Sequence, residues 1–109
     1  MLIVVLSAQL QQENASVLML VQAMLGAISP NFRAVSLQIE TGGVVHLYFI
    51  LENENADDRE EIDDLVCEFE ALSGGPVSIV AHVEIYSGEW AAGADSIRGR
   101  PVFMRKWTA

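Results

Sequence analysis

Residues 35–76, VSLQIETGGVVHLYFILENENADDREEIDDLVCEFEALSGGP, contain the patterns that decide the fold. The segment opens with apolar residues at every second position of residues 35–39, and this period of two predicts a strand with one solvated face. Residues 41–43, Thr-Gly-Gly, predict a short hairpin, because glycine accepts a positive φ angle without a steric penalty. The strand that follows, residues 44–51, is apolar on both faces. We therefore predict that it is central in the sheet and covered on both sides.

The second half of this stretch predicts a helix that begins among acidic residues and ends at glycine. Acids crowd its first turn, from Asp57 to Glu61, where the helix dipole favours negative charge. Gly74 and Gly75, followed by Pro76, are typical of the end of a helix. Between these ends, apolar residues at helical spacing predict a core-facing stripe of Ile62, Leu65, Val66, Phe69 and Leu72.

A second amphipathic helix is predicted upstream, over residues 14–27. Asn14 is its predicted N-cap, and Pro30 prevents its continuation because proline cannot extend a helix. Residues 1–6 are apolar and fit either a short strand or the start of a helix, with their Ile and Val residues favouring a strand. The apolar positions of the helix are Val17, Leu20, Val21, Met24, Leu25 and Ile28.

Two further strands are predicted downstream, at residues 77–86 and 101–107, on either side of a loop rich in glycine and alanine. The predicted order is therefore helix, strand, strand, helix, strand, strand, within a single domain of residues 1–109. Paired strands between helices are typical of an α+β fold. We predict a mostly antiparallel sheet with the helices packed on one side.

Composition limits the class of partner. Fifteen acids against six Lys and Arg residues give a formal net charge of −9. Because phosphates attract Lys and Arg, this charge argues against nucleic acid or anionic lipid and favours a basic partner. No segment approaches the ~20 apolar residues that cross a membrane. Cys67 is the single cysteine, and no basic region precedes the apolar N-terminus, so we expect a cytoplasmic protein.

Ten of the fifteen acids fall between Glu52 and Glu70, where Arg59 is the single base. Like charges three or four positions apart destabilise a helix by about 0.2–0.5 kcal/mol per pair. We therefore consider two interpretations: the negative charge serves to bind a partner, or these acids form an ordinary solvated helix face. Asp58 and Glu61 lie nearer the apolar stripe, but in the first turn, where we expect hydration. The predicted partner-binding acids are Asp57, Asp58, Glu60, Glu61, Asp63, Asp64 and Glu68.

The end of the chain adds aromatic and basic residues. Tyr86 and Trp90 flank the start of the flexible loop, and we predict them as aromatic anchors of the same interface. Four of the six bases lie between Arg98 and Lys106. We expect them to form a salt-bridged edge, with the acidic helix as a candidate partner.

No catalytic motif is present: there is no Gly-rich phosphate loop, GxSxG elbow, CxxC pair or HExxH helix. We therefore predict no enzymatic activity, no catalytic residue, no metal and no cofactor. One alternative is a small-ligand or metal-binding enzyme built on His46, His82 and Tyr86, which requires the two histidines to converge. Another is a homodimeric structural or adaptor domain, paired through Leu18, Met19 and the two-sided apolar strand.

Three short runs resemble a known family: residues 25–35 (LGAISPNFRAV), residues 46–49 (HLYF) and residues 57–60 (DDRE). They look like those of small bacterial toxin-immunity proteins, the antidotes that accompany contact-dependent growth inhibition and other polymorphic toxins. The resemblance implies a cytoplasmic α+β protein that binds and silences one toxin domain. Such toxins are often basic nucleases, which suit an acidic partner. We accordingly expect a cognate basic toxin as the partner and no direct contact with nucleic acid or membrane.

Overall fold

The computed structural model describes the backbone of residues 2–88 and 97–106 and the side chains of residues 7–88 and 97–106. Two helices and four strands follow one another in the predicted order, and the α+β class is confirmed. Their bounds are α1 Leu2–Met24, β1 Phe32–Ile39, β2 Val45–Leu51, α2 Ala56–Leu72, β3 Ile79–Ile85 and β4 Arg100–Met104.

The four strands form one mixed sheet in the order β3-β2-β1-β4. β1 lies antiparallel to both β2 and β4, so the pairing is mostly antiparallel, as predicted. β3 runs parallel to β2. Parallel neighbours need a long crossover connection, and α2 with its flanking loops provides it. β3 and β4 are therefore the two edges of the sheet.

The predicted turn connects β1 to β2. The backbone N–H of Gly43 donates to the carbonyl of Glu40 at 2.9 Å, and that of Glu40 donates to the carbonyl of Val44 at 2.8 Å. Gly42 and Gly43 have φ angles of 106° and 95°, a region that residues with a Cβ atom rarely adopt. The two glycines thus allow the tight closure that fixes the register of the hairpin.

Both helices pack on one face of the sheet, as predicted, and the core lies between the two layers. Leu20 of α1 and Ile62, Leu65 and Phe69 of α2 are buried there. The other predicted stripe residues of α2, Val66 and Leu72, are partly buried against the same core. The sheet contributes Val35, Leu37, Val45, Leu47, Phe49 and Leu51.

β2 is central, as predicted, but the prediction that both its faces are covered is wrong. Both helices occupy the face that carries Phe49, and the other face keeps His46 and Tyr48 partly exposed. Ile50, on that second face, is buried and accounts for the two-sided apolar pattern. We call this second side the open face; its exposed or partly exposed residues include His46, Tyr48, Val80, His82 and Glu84.

α1 is longer than predicted and begins at Leu2, so the apolar N-terminal run is helical. No glycine or proline interrupts residues 1–25, and a short run of β-branched residues lowers helix propensity only slightly. The predicted N-cap, Asn14, therefore lies inside the helix. Its side-chain oxygen accepts a hydrogen bond from Arg100 Nη1 at 2.5 Å and so connects α1 to β4.

A shared carboxylate connects the ends of three strands. Glu52 Oε1, just after β2, accepts hydrogen bonds from Arg33 Nη2 at 3.0 Å and from Arg105 Nη2 at 3.2 Å. Arg105 also donates to the carbonyl of Pro30 at 2.6 Å. The two guanidinium groups, Arg33 first, hold the pKa of Glu52 below its usual range. This network connects β1, β2 and the segment that follows β4.

We predict that Leu20→Ala lowers the free energy of unfolding by about 2–5 kcal/mol, because it leaves a cavity at a fully buried position of α1. Leu18→Ala is the matched control, since Leu18 is on the same helix and 70% exposed. Its effect should stay within about 0.5 kcal/mol. Urea unfolding of both variants, at a concentration where the chain is monomeric, measures the difference. Equal losses would contradict the described orientation of α1.

We predict that Glu52→Gln destabilises the fold at neutral pH and that the difference from wild type disappears in acid. The pKa of Glu52 is lowered in the folded state, so its contribution is fully present above the ordinary value of 4.5. That contribution is lost as pH falls through the lowered pKa, because a protonated Glu52 resembles glutamine. Urea unfolding between about pH 7 and pH 3 measures the effect. A difference that persists unchanged in acid would contradict the network.

Candidate functional site

The outer side of α2 carries a continuous set of acids. The helix begins with Asn55 as N-cap, whose side chain accepts from the backbone N–H of Asp58 at 3.1 Å. Because the apolar stripe is buried against the sheet, the acids at the other positions are exposed. We call six of them the acidic face: Asp57, Glu60, Glu61, Asp63, Asp64 and Glu68. Glu70 is also exposed on α2, although the sequence prediction did not include it.

Asp58 does not belong to the acidic face. It is 5% exposed, and its Oδ2 accepts a hydrogen bond from Asn31 Nδ2 at 2.8 Å. The expectation of a hydrated Asp58 is therefore wrong. Asp58 lies four, seven and eleven positions before Ile62, Leu65 and Phe69, so helical periodicity already places it in line with the buried stripe. Its role in the structure is to hold the start of α2 against the turn that precedes β1.

Among the described residues, no ion pair connects the acidic face to a base of another element. Arg59 binds Glu54 through two hydrogen bonds of 2.7 and 2.8 Å, which lower the pKa of Glu54 and raise the pKa of Arg59. Arg100 pairs with Glu13 at 3.5 Å, and Arg105 pairs with Glu52. Two of the four C-terminal bases, Arg100 and Arg105, thus form ion pairs, and neither pair involves α2.

Tyr86, one of the two predicted aromatic anchors, lies just after β3. Its backbone N–H donates to the carbonyl of Leu51 at 2.8 Å. The guanidinium carbon of Arg33 lies 5.9 Å from the centre of the Tyr86 ring. Tyr86 is therefore near the end of β2 from which the chain continues into α2. The prediction for Trp90 lies outside the described residues.

The two histidines converge on the open face. Nδ1 of His46 lies 2.9 Å from Nε2 of His82, and Nε2 of His46 lies 3.3 Å from Oε2 of Glu40. The ring of Tyr48 stacks on that of His82, with centroids 4.6 Å apart and planes 15° apart. Convergence is what the small-ligand alternative required. The third residue of that alternative was predicted to be Tyr86, but Tyr48 is the tyrosine that contacts His82. Tyr48 is two positions after His46 on the same strand, and strand alternation therefore places both on one face.

The described residues beside His82 line a small depression. A shallow depression of about 260 Å³ lies beside Tyr48, His82, Glu84 and Arg98. That is below the ~300–1,000 Å³ typical of small-molecule pockets. A larger depression of about 660 Å³, between α1 and the hairpin, contains neither histidine. Among the residues that the structure describes, no group of three or more His, Cys, Asp and Glu side chains is arranged to hold a metal ion.

α1 presents an apolar stripe that the sheet does not cover. We call four exposed side chains the apolar stripe of α1: Leu10, Leu18 and Val21 of the helix, and Leu25 directly after its end. Leu18 and Leu25 are 70% and 76% exposed. The other residue predicted for a dimer surface, Met19, instead packs against the core. Glu13 is the one charged residue of α1, and it is paired with Arg100.

Comparison with known proteins gives one family. The family model described as MafI2 immunity protein matches residues 13–106, which is most of the chain. The search of curated proteins found no match to the chain. The match spans α2, the whole sheet and the second half of α1. Across the described residues, no helix is both long and apolar enough to span a membrane.

Proposed function

Because the chain belongs to the MafI2 immunity protein family, we propose that it binds one cognate toxin domain through the acidic face and thereby neutralises it. The observation that carries the proposal is the set of six exposed acids on α2 with no counterion from another described element. A surface of this charge fits a basic partner. Tyr86, and Trp90 beyond it, would supply desolvated contacts at the margin of the interface.

Charge favours the speed that an antidote needs. Electrostatic steering raises association rates to about 10⁸–10⁹ M⁻¹s⁻¹ at low salt when the two surfaces are complementary. The net charge of −9 is concentrated on α2 instead of being spread evenly along the chain. A basic toxin domain would therefore be attracted towards the acidic face before short-range contacts form.

A nuclease is the toxin class that this surface fits best. Nucleases bind the phosphates of their substrate with Lys and Arg. A row of carboxylates on one helix can bind the same basic surface in place of the phosphates. Occlusion of the substrate-binding surface silences the toxin without any reaction by the immunity protein. Family membership supports this non-catalytic role. Since a nuclease toxin acts on nucleic acid inside the cell, the proposed site of action is the cytoplasm of the protected cell.

We predict that removing two charges from the acidic face slows toxin binding. Glu60→Gln with Asp64→Asn should lower the association rate about 10-fold at low salt, and the difference should shrink at high salt because exposed charges are screened. The partner is captured from native cells with the tagged chain and identified by mass spectrometry. Stopped-flow binding of its purified toxin domain then measures the rate.

The matched control is Glu40→Gln with Glu84→Gln, which removes the same charge from the sheet. This variant should bind at nearly the wild-type rate and protect cells that express the toxin domain. If both double variants slow binding equally, only net charge matters and the acidic face is not the interface. A captured toxin domain that is itself acidic would contradict the proposal.

The apolar stripe of α1 favours a second candidate function, a homodimeric structural or adaptor domain. Two copies of a chain with net charge −9 repel each other, and the repulsion is weakest between surfaces that carry few acids. α1 is such a surface, because it has one acid, Glu13, which is paired with Arg100. An exposed apolar surface on a neutral helix is typical of a protein interface.

We predict for this candidate that sedimentation equilibrium of the wild type shows a dimer without any other protein. Leu18→Ser with Leu25→Ser should give a monomer that keeps its far-ultraviolet circular dichroism. Val80→Ser is the control, because it removes an exposed apolar residue from the sheet instead of the helix. A wild-type chain that is monomeric at every concentration excludes the homodimer.

A further inference from the structure

We propose that β3 binds an exposed strand of the toxin domain through its free edge and so extends the sheet across the interface. The inference rests on the proposed function, because it takes the same toxin as the partner, and it adds a second contact to that of the acidic face. β3, Ile79–Ile85, is one of the two edges of the sheet. The backbone groups that an edge strand leaves unpaired are a template for strand addition by a partner.

The hydrogen bonds at the two ends of β3 show which of its backbone groups are used. Before the strand, the carbonyl of Ser78 accepts from the N–H of Val45 at 2.9 Å. After it, the N–H of Tyr86 donates to the carbonyl of Leu51 at 2.8 Å. Successive residues of a strand direct these groups to opposite sides, so even-numbered residues of β3 bind β2 and odd-numbered residues point away. The outward residues, with which no described strand pairs, are Ile79, Ala81, Val83 and Ile85.

The two edges of the sheet differ in their protection against strand addition. Natural edge strands are protected by shortness, proline, charged side chains or a bulge. β4 has five residues that include Arg100 and Pro101, and its register with β1 shifts between Val35 and Ser36. β3 has seven residues in unbroken register with β2, contains no proline and carries Glu84 as its single charged residue. Of these two edges, β3 is therefore the one open to a further strand.

The side chains of β3 fit a partner that is itself a strand. Val80 and Ile85 are 41% and 37% exposed. Val80 lies on the open face, whereas Ile85 lies on the side of the helices, opposite Leu51. A contact on one side of the sheet would leave the other residue uncovered. An added strand contacts both, because its own side chains alternate between the two sides.

Charge decides which partner strand fits this edge. Of the two helices, α2 is the one that contacts β3. If two copies of the chain paired through antiparallel β3 strands, the twofold axis would place both helix layers on the same side of the joined sheet. The two acidic faces would then be neighbours, and their like charges would repel. A basic toxin domain is attracted at the same place, so an apolar edge strand of that domain is the occupant that the charges favour.

The test measures amide hydrogen exchange in the full wild-type chain by nuclear magnetic resonance, free and bound to the purified toxin domain. We expect the outward amides of β3, at residues 79, 81, 83 and 85, to exchange at least about 10-fold more slowly in the complex, because added-strand hydrogen bonds protect them. The amides of β4 that face away from β1 are the internal control and should keep their exchange rates.

A substitution at one outward amide separates this contact from that of the acidic face. Ala81→Pro removes an N–H that β2 does not use, and an edge strand tolerates proline at such a position. It should raise the dissociation rate of the toxin complex about 10-fold, with a nearly unchanged association rate. Ala81→Ser is the matched control, because it keeps the N–H, and its complex should dissociate as the wild type does. Glu60→Gln with Asp64→Asn should act on the association rate instead.

Unchanged exchange of the outward amides in the complex would overturn the strand pairing and leave the acidic face as the interface. Protection of these amides in the free chain that disappears on dilution would assign β3 to a second copy and also overturn the proposal. Slower exchange at β3, with an association rate that the acidic-face variant does not change, would refute the proposed function alone. Because exchange is recorded on the wild type, it decides even if Ala81→Pro fails to fold. A chain that captures no toxin overturns both.

Discussion

Burial of one face of β2 against the two helices is the constraint from which both candidate sites follow. Leu47, Phe49 and Leu51 enter the same core as the stripe of α2. Burying such a side chain stabilises the fold by about 1.5–3 kcal/mol, whereas like charges on a helix cost about 0.2–0.5 kcal/mol per pair. Burial therefore decides the orientation. It turns the acids of α2 outward and, through strand alternation, places His46 and Tyr48 on the open face.

Local patterns in the sequence predict most of this fold. The hairpin, the stripe of α2 and the order of elements depend on spacing within a few residues, and the structure confirms them. The acids of α2 were identified for the same reason, because they occupy the positions that the stripe leaves. Asp58 is the exception: it lies in the first turn, where helix ends are often hydrated, but its spacing of four to Ile62 places it in line with the buried stripe.

Features that depend on distant pairing could not be predicted in this way. The β1–β2 hairpin has two free edges, and β3 pairs with the edge formed by β2. No local sequence pattern indicates which edge β3 joins. The contact between His46 and His82 depends on that pairing and on its register. The extent of α1 is ambiguous for another reason: residues 1–6 carry β-branched residues but no helix breaker, so their local sequence is compatible with both a strand and a helix.

The parallel pairing of β3 also has a kinetic consequence. The β1–β2 hairpin closes over five residues, so its contacts form at a small entropic cost and early in folding. β3 finds its place beside β2 only after the chain has passed through α2, and β4 must return to β1 across an even longer separation. Both edges therefore assemble on a preformed centre. The histidine contact between β2 and β3 then marks the docking of β3 on the hairpin, a step that follows hairpin closure.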